Sequence, residues 1–132
     1  MSAASLSKIT AVLIVPAIEP CLDFWQRRLG FQLTTEVPHG DHLGFVILDG
    51  DGVEVMYQTE ASARGDASTA MLANFRGDKT YLFVETSDLD GIERALAGCE
   101  IVLPRRTTFY GSMETGYREP GGHFVTFAQF KR

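Results

Sequence analysis

The chain has 132 residues, a length that suits one domain with a real buried core. Its hydrophobic share of 45% and charged share of 22% match an ordinary soluble globular protein. A formal net charge of -5 argues against the basic face that nucleic acid or an anionic membrane demands. The paired basics Arg27-Arg28 and Arg105-Arg106 are too short to supply one and read as solvated surface.

No apolar run approaches the roughly 20 residues of a membrane span. The start, MSAASLSK, has neither the basic beginning nor the apolar centre of a secretory signal. Cys21 and Cys99 belong to no C-x-x-C pair and read as free thiols in a reducing compartment. The expectation is a single cytoplasmic domain over residues 1–132.

In chain order, residues 8–30, KITAVLIVPAIEPCLDFWQRRLG, predict a β-branched strand and then a helix that stops at Gly30. Pro20 suits a first helical turn, and Leu22, Trp25 and Leu29 fall on one face, so Trp25 reads as packing. Three strands follow, at Phe31–Glu36, Leu43–Leu48 and Val53–Gln58, with GDG at 50–52 as a hairpin signal. Residues 59–78 are polar and alanine-rich and form a connector, with a short helix expected around Thr69–Phe75.

The pattern then repeats. Residues 79–98 give a strand and a helix that ends at Gly98, with Ser87 or Asp88 as cap and Leu89, Ile92 and Leu96 on one face. Strands are expected at Glu100–Leu103, weakly near Gly116–Arg118, and at Phe124–Phe130. The fold class is therefore α+β, built of two tandem β-α-β-β-β modules over about 8–58 and 79–130. Joined side by side, they would form one curved mixed sheet around a cleft.

With "DFWQRRLGF" closing the first helix and "REPGGHFVTFAQ" closing the second half, the chain resembles the vicinal oxygen chelate superfamily over about Lys8 to Phe130. That superfamily holds glyoxalases, extradiol dioxygenases, fosfomycin-resistance transferases and bleomycin-resistance binding proteins. The resemblance implies a homodimer and a small-molecule ligand. It also makes the Pro-Gly-Gly stretch the usual lead into the last strand. Pro120 and Gly121 read as the centre of that turn, and Glu119 and His123 as its two sides.

Catalytic members hold a divalent metal between strands of both halves, leaving open positions for two substrate oxygens. Carried over, the ligand positions fall at Thr10, Glu54, Tyr81 and Thr126, and only Glu54 keeps a ligand-type side chain. His39 and His42, in PHGDH, read as a solvated loop between strands. No metal or other cofactor is therefore expected. What remains is a largely apolar cleft. Its expected lining is Thr10, Phe45, Glu54 and Met56 in the first half, and Tyr81, Phe83 and Thr126 in the second. Phe109, Tyr110, Met113 and Tyr117 are expected at its mouth.

The leading expectation is a metal-independent binding protein that sequesters a hydrophobic or cationic ligand, such as an antibiotic. The alternative is a lyase, isomerase or dioxygenase-type enzyme. It would use Glu54 as a base without metal, or hold metal through atypical ligands such as His39 and His42. No G-x-S-x-G, phosphate-binding glycine loop or G-x-G-x-x-G is present.

Overall fold

A computed structural model describes residues 5–65 and 77–131. The first half runs β1 (Ala11–Val15), a helix from Glu19 to Arg28, β2 (Gln32–His39), β3 (His42–Gly50) and β4 (Val53–Thr59). A one-turn helix, Glu60–Arg64, leads away from it. The second half runs β5 (Tyr81–Glu85), the helix Leu89–Ala95, β6 (Ile101–Thr107), β7 (Ser112–Arg118) and β8 (Phe124–Phe130). Both halves are thus β-α-β-β-β, as the repeat predicts. The short helix expected around Thr69–Phe75 lies outside the described residues.

The sheets have matching orders, β1-β4-β3-β2 and β5-β8-β7-β6. In each, the first and last strands pair in parallel and the rest are antiparallel. They remain two separately hydrogen-bonded sheets in place of one continuous curved sheet. The halves meet through side chains instead, and a single apolar core holds residues from both.

Local chemistry explains most boundaries. Asp51 and Gly52 take φ values of 53° and 78°, which makes the GDG stretch a two-residue turn twisted to suit a hairpin. Asp88 caps the second helix by accepting from Gly91 N at 3.0 Å. Strand β6 runs past Pro104 to Thr107 because register shifts on either side of Leu103 absorb the missing donor.

The first helix departs from expectation in a useful way. It begins as α over Glu19–Leu22 and widens to a π-helical turn over Asp23–Arg28. The wider turn lets the consecutive residues Phe24 and Trp25 both point inward, at 0% and 1% exposure. Phe24 reaches the other half, its ring 6.4 Å from those of Tyr117 and Phe127.

Glu119 and His123 need correction: they flank the turn, but they are not merely its two sides. Both are buried, at 1% and 3% exposure. Trp25 Nε1 donates to Tyr57 Oη at 2.8 Å, and Tyr57 Oη donates to Glu119 Oε2 at 2.6 Å. The other carboxylate oxygen accepts from His123 N. Thr80 N donates to His123 Nδ1 at 3.0 Å. Nδ1 must therefore be the acceptor, so the ring proton sits on Nε2 and is donated to Ile14 O, 2.9 Å away. A chain of hydrogen bonds thus crosses from the first half to the second and back.

The glycines there also differ from expectation. Gly122, just past the expected turn centre at Pro120 and Gly121, is the glycine that takes a left-handed conformation, at φ 93°. Gly121 is needed for closeness: a Cβ on it would lie 2.6 Å from Val15 Cγ1 and 3.0 Å from Glu119 Oε2.

Burial, and then the Glu119 carboxylate, push the Tyr57 hydroxyl far above the ordinary phenol range, so it stays a donor. Tyr57→Phe removes that donor and the acceptor for Trp25 together, which leaves a buried carboxylate oxygen and an indole N–H unpaired. The expected loss is about 2–4 kcal/mol of stability. It should be read as a lower urea midpoint with an unchanged slope. A variant as stable as the parent would mean that the chain of bonds contributes nothing.

Candidate functional site

Alternation along the strands gives each sheet a core face and an open face. On β4, Val55, Tyr57 and Thr59 are buried, so Glu54, Met56 and Gln58 take the open side. Register then places Val12, Met56 and Ile47 in one row across the first sheet, and Ile14, Gln58 and Phe45 in the next. Phe45, Ile47 and Met56 are half-buried there, and Val12 is 46% exposed.

Glu54 sits on this face with two partners. Thr10 Oγ1 donates to Glu54 Oε1 at 2.8 Å, and Lys8 Nζ lies 2.9 Å from the same oxygen. The Lys8 ammonium, then the Thr10 hydroxyl, hold its carboxyl below the ordinary carboxylate range. Of the other carried-over positions, Thr10 thus bonds Glu54, whereas Tyr81 and Thr126 lie on the other sheet.

The second sheet's open face is aromatic. Tyr81 and Phe124 are cross-strand partners whose rings stack at 4.9 Å and 14°, and the Arg118 guanidinium lies 4.9 Å from the Phe124 centroid. In the next row Phe83 faces Thr126 and then Gly116, while Phe130 lies between the rings of Phe83 and Tyr110. Tyr81 is 76% exposed, Phe83 53% and Phe109, at the loop tip, fully exposed. Met113 is exposed on the opposite face of β7. Tyr117, expected at the cleft mouth, is instead buried in the shared core against Phe24 and Phe127.

One polar cluster escaped the sequence reading. Glu114 is 1% exposed, in a cross-strand row with Arg106, Ala128 and Glu85. Tyr110 Oη and Ser112 Oγ donate to its Oε2, and Arg106 Nη2 reaches Oε1 at 3.3 Å. Burial alone would push this carboxyl up, but those hydrogen bonds outweigh it and hold it below the ordinary range. The available signal was the alternation Ser112, Glu114, Gly116 in a segment with weak strand character.

The donor set at the four inherited metal positions does not fit a divalent cation. Glu54 is the one carboxylate, and an ammonium already engages the oxygen that Thr10 also bonds. Thr10, Tyr81 and Thr126 offer neutral hydroxyls, which are poor ligands beside imidazole or carboxylate. Among the described residues, no three His, Cys, Asp or Glu side chains converge. His39 and His42 are not in a loop: they pair across β2 and β3 at the hairpin end, where Gly40 takes φ 64°. His42 Nδ1 lies 3.9 Å from Glu19 Oε2. Both cysteines are free thiols, and burial pushes Cys21 far above the ordinary range, which makes it inert.

Similar architecture recurs in solved structures. TioX from Micromonospora sp. ML1 superposes with a TM-score of 0.75 at 23% identity, over 95% of this chain and 99% of that one. A glyoxalase/bleomycin resistance protein/dioxygenase from Nocardioides gives 0.71 at 20% identity, over 97% and 86%. Lactoylglutathione lyase from Agrobacterium tumefaciens gives 0.73 at 13% identity, over 96% and 100%. At such identities the likeness speaks for the fold alone. A comparison with curated protein sequences found no significant match. The family model described as Glyoxalase/Bleomycin resistance protein/Dioxygenase superfamily matches residues 8–127. With the tandem modules and the paired sheet orders, that match places this chain in the glyoxalase/bleomycin resistance protein/dioxygenase superfamily.

Proposed function

We propose that this protein is a binding member of its superfamily. It sequesters a hydrophobic or cationic small molecule, such as an antibiotic, in the cytoplasm and without a metal. The observation that carries this reading is the open aromatic face of the second sheet, where Tyr81 and Phe83 stand exposed opposite Phe124 and Thr126. Exposed rings supply stacking area and cation–π attraction to a flat or positively charged ligand. The net charge of -5 favours the same ligand class.

Glu54 is a poor candidate for the alternative, an enzyme working through a general base. An effective base has a pKa near the working pH, and Lys8 and Thr10 move this carboxyl away from it. The ligand cleft is completed by a second copy of the chain. Within one chain β1 and β5 are edge strands with unpaired outer edges. Val12, Tyr81 and Phe83 along them leave apolar surface exposed. Pairing β1 of one copy with β5 of the other would join a first sheet to a second around a shared hollow.

The melting temperature should rise with a bleomycin-class drug, by an amount equivalent to about 2.7 kcal/mol at a hundredfold excess over Kd. Tyr81→Ala should reduce that rise. One equivalent of a divalent metal in the purified protein, lost on Glu54→Gln, would refute the metal-free reading. In sedimentation velocity the parent should run at twice the mass of one chain and Val12→Asp as a monomer. A monomeric parent would leave the cleft without its second wall.

A further inference from the structure

The open aromatic face of the second sheet has one buried charge among its rings. Glu114, on β7, is 1% exposed. It pairs across the strands with Ala128 of β8, so it lies on the same side as Thr126 and Phe130, two residues either way. Such diagonal neighbours are about 7–8 Å apart, within reach of a short arm on a ring packed against Phe130. The Phe130 ring is itself held between Phe83 at 6.3 Å and Tyr110 at 6.2 Å. At the other end of the face the Arg118 guanidinium already lies 4.9 Å from the Phe124 centroid. A second cation is disfavoured there and favoured at the Glu114 end.

The two oxygens of Glu114 are served unequally. Oε2 accepts from both Tyr110 Oη and Ser112 Oγ, which fills its two lone-pair sites. Among the described residues, Oε1 accepts only from Arg106 Nη2, at 3.3 Å. A charge-assisted bond between such groups is ordinarily about 2.7–2.9 Å, so this one is slack. The Arg106 side chain is 54% exposed and stands on β6, an outer strand, so water can hydrate its guanidinium when it lets go. Burial pushes the Glu114 carboxyl up, but the two hydroxyls and Arg106 outweigh it, which keeps a negative charge in place at neutral pH. Glu85, at the far end of the same cross-strand row, has an interaction of its own and takes no part.

We propose that Glu114 Oε1 is the cation receptor of the open-face site, and that the ligand is a flat ring system bearing a primary ammonium on a short arm. This rests on the open-face reading above and selects the cationic ligand within it. The ring packs against Phe83 and Phe130, and the ammonium takes the place of the Arg106 guanidinium, which swings into solvent. A compact ammonium with three donors can approach Oε1 more closely than the planar guanidinium does. Arg106 is thus a built-in competitor, which keeps a buried carboxylate paired until a better cation arrives.

The test is an NMR titration of the full ¹⁵N-labelled chain with tryptamine and with tryptophol, which share an indole and a two-carbon arm and differ in ammonium against hydroxyl. Both should shift the Ala128 and Phe130 amides saturably. Tryptamine should bind about tenfold tighter, the scale of one hydrogen bond to a charged group. Glu114→Gln keeps an oxygen for Tyr110 and Ser112 but loses the charge. It should bring tryptamine down to the tryptophol affinity and leave tryptophol unchanged, whereas a merely structural Glu114 would move both probes together. Arg106→Met keeps the aliphatic stem and removes the competitor. It should tighten tryptamine about threefold and not tryptophol, because no occupied state has to be vacated first, and it serves if Glu114→Gln fails to fold. Equal affinity of the parent for the two probes, or an Arg106→Met protein that binds tryptamine no better than the parent, overturns the proposal and leaves the open-face reading standing. A parent that binds neither probe at millimolar concentration overturns it as well, and the melting test with a bleomycin-class drug then decides the open-face reading separately.

Discussion

The hydrogen bond from Tyr57 to Glu119 is the contact on which the rest of the arrangement turns. It joins a strand of the first half to the turn that opens the last strand of the second. Both groups are buried, and a buried carboxylate without donors would be costly. Trp25, His123 and Thr80 complete the set, so every polar atom in the chain of bonds finds a partner. Among the described residues no buried side-chain polar atom lacks one. The two sheets share no ladder hydrogen bond, so this side-chain link, the Arg28 Nη1 bond to Ala97 O and the common apolar core hold their orientation.

That orientation decides what the protein offers its surroundings. Because both core faces turn toward the same interior, the other two faces turn out, one lined mainly by aliphatic groups with Phe45 among them and one mainly by rings. The first is polar at its end, where Lys8 and Thr10 engage Glu54. The second carries stacked Tyr81 and Phe124 beside an arginine. On the proposed reading, these surfaces hold a molecule by apolar contact on one side and ring stacking on the other.

Much of the fold was legible in the sequence. Period-2 strands, two glycine-ended helices and the GDG turn carry local signals, and each of these appears where expected. The misreadings share a cause: they depend on contacts remote in sequence. Nothing near Glu119 announces that a tyrosine 62 positions away supplies its donor, so a residue beside Pro-Gly-Gly reads as part of a turn. Periodicity of 3.6 cannot foresee the wide turn that buries Phe24 together with Trp25. Glu114 hides in a strand that exists because β8 pairs with it, and Tyr117 looks like a mouth aromatic until the core closes over it. At the site, the identities of Thr10, Glu54, Tyr81 and Thr126 and the half that holds each were legible, but not that Lys8, remote in sequence, would engage Glu54.

The hydroxyl of Tyr57 has a further consequence for the duplicated plan. The core-side ring of β8 is Phe127, which has no hydroxyl, and the acceptor Glu119 sits only in the second half. Donor and acceptor are therefore divided between unlike modules, as in a lock and key cut from similar blanks. Two first modules brought together would bury phenols with nothing to receive them, and two second modules would bury carboxylates with nothing to quiet them. Any exchange of segments between copies must preserve the unlike pairing, so the repeat is symmetric in outline and directional in chemistry.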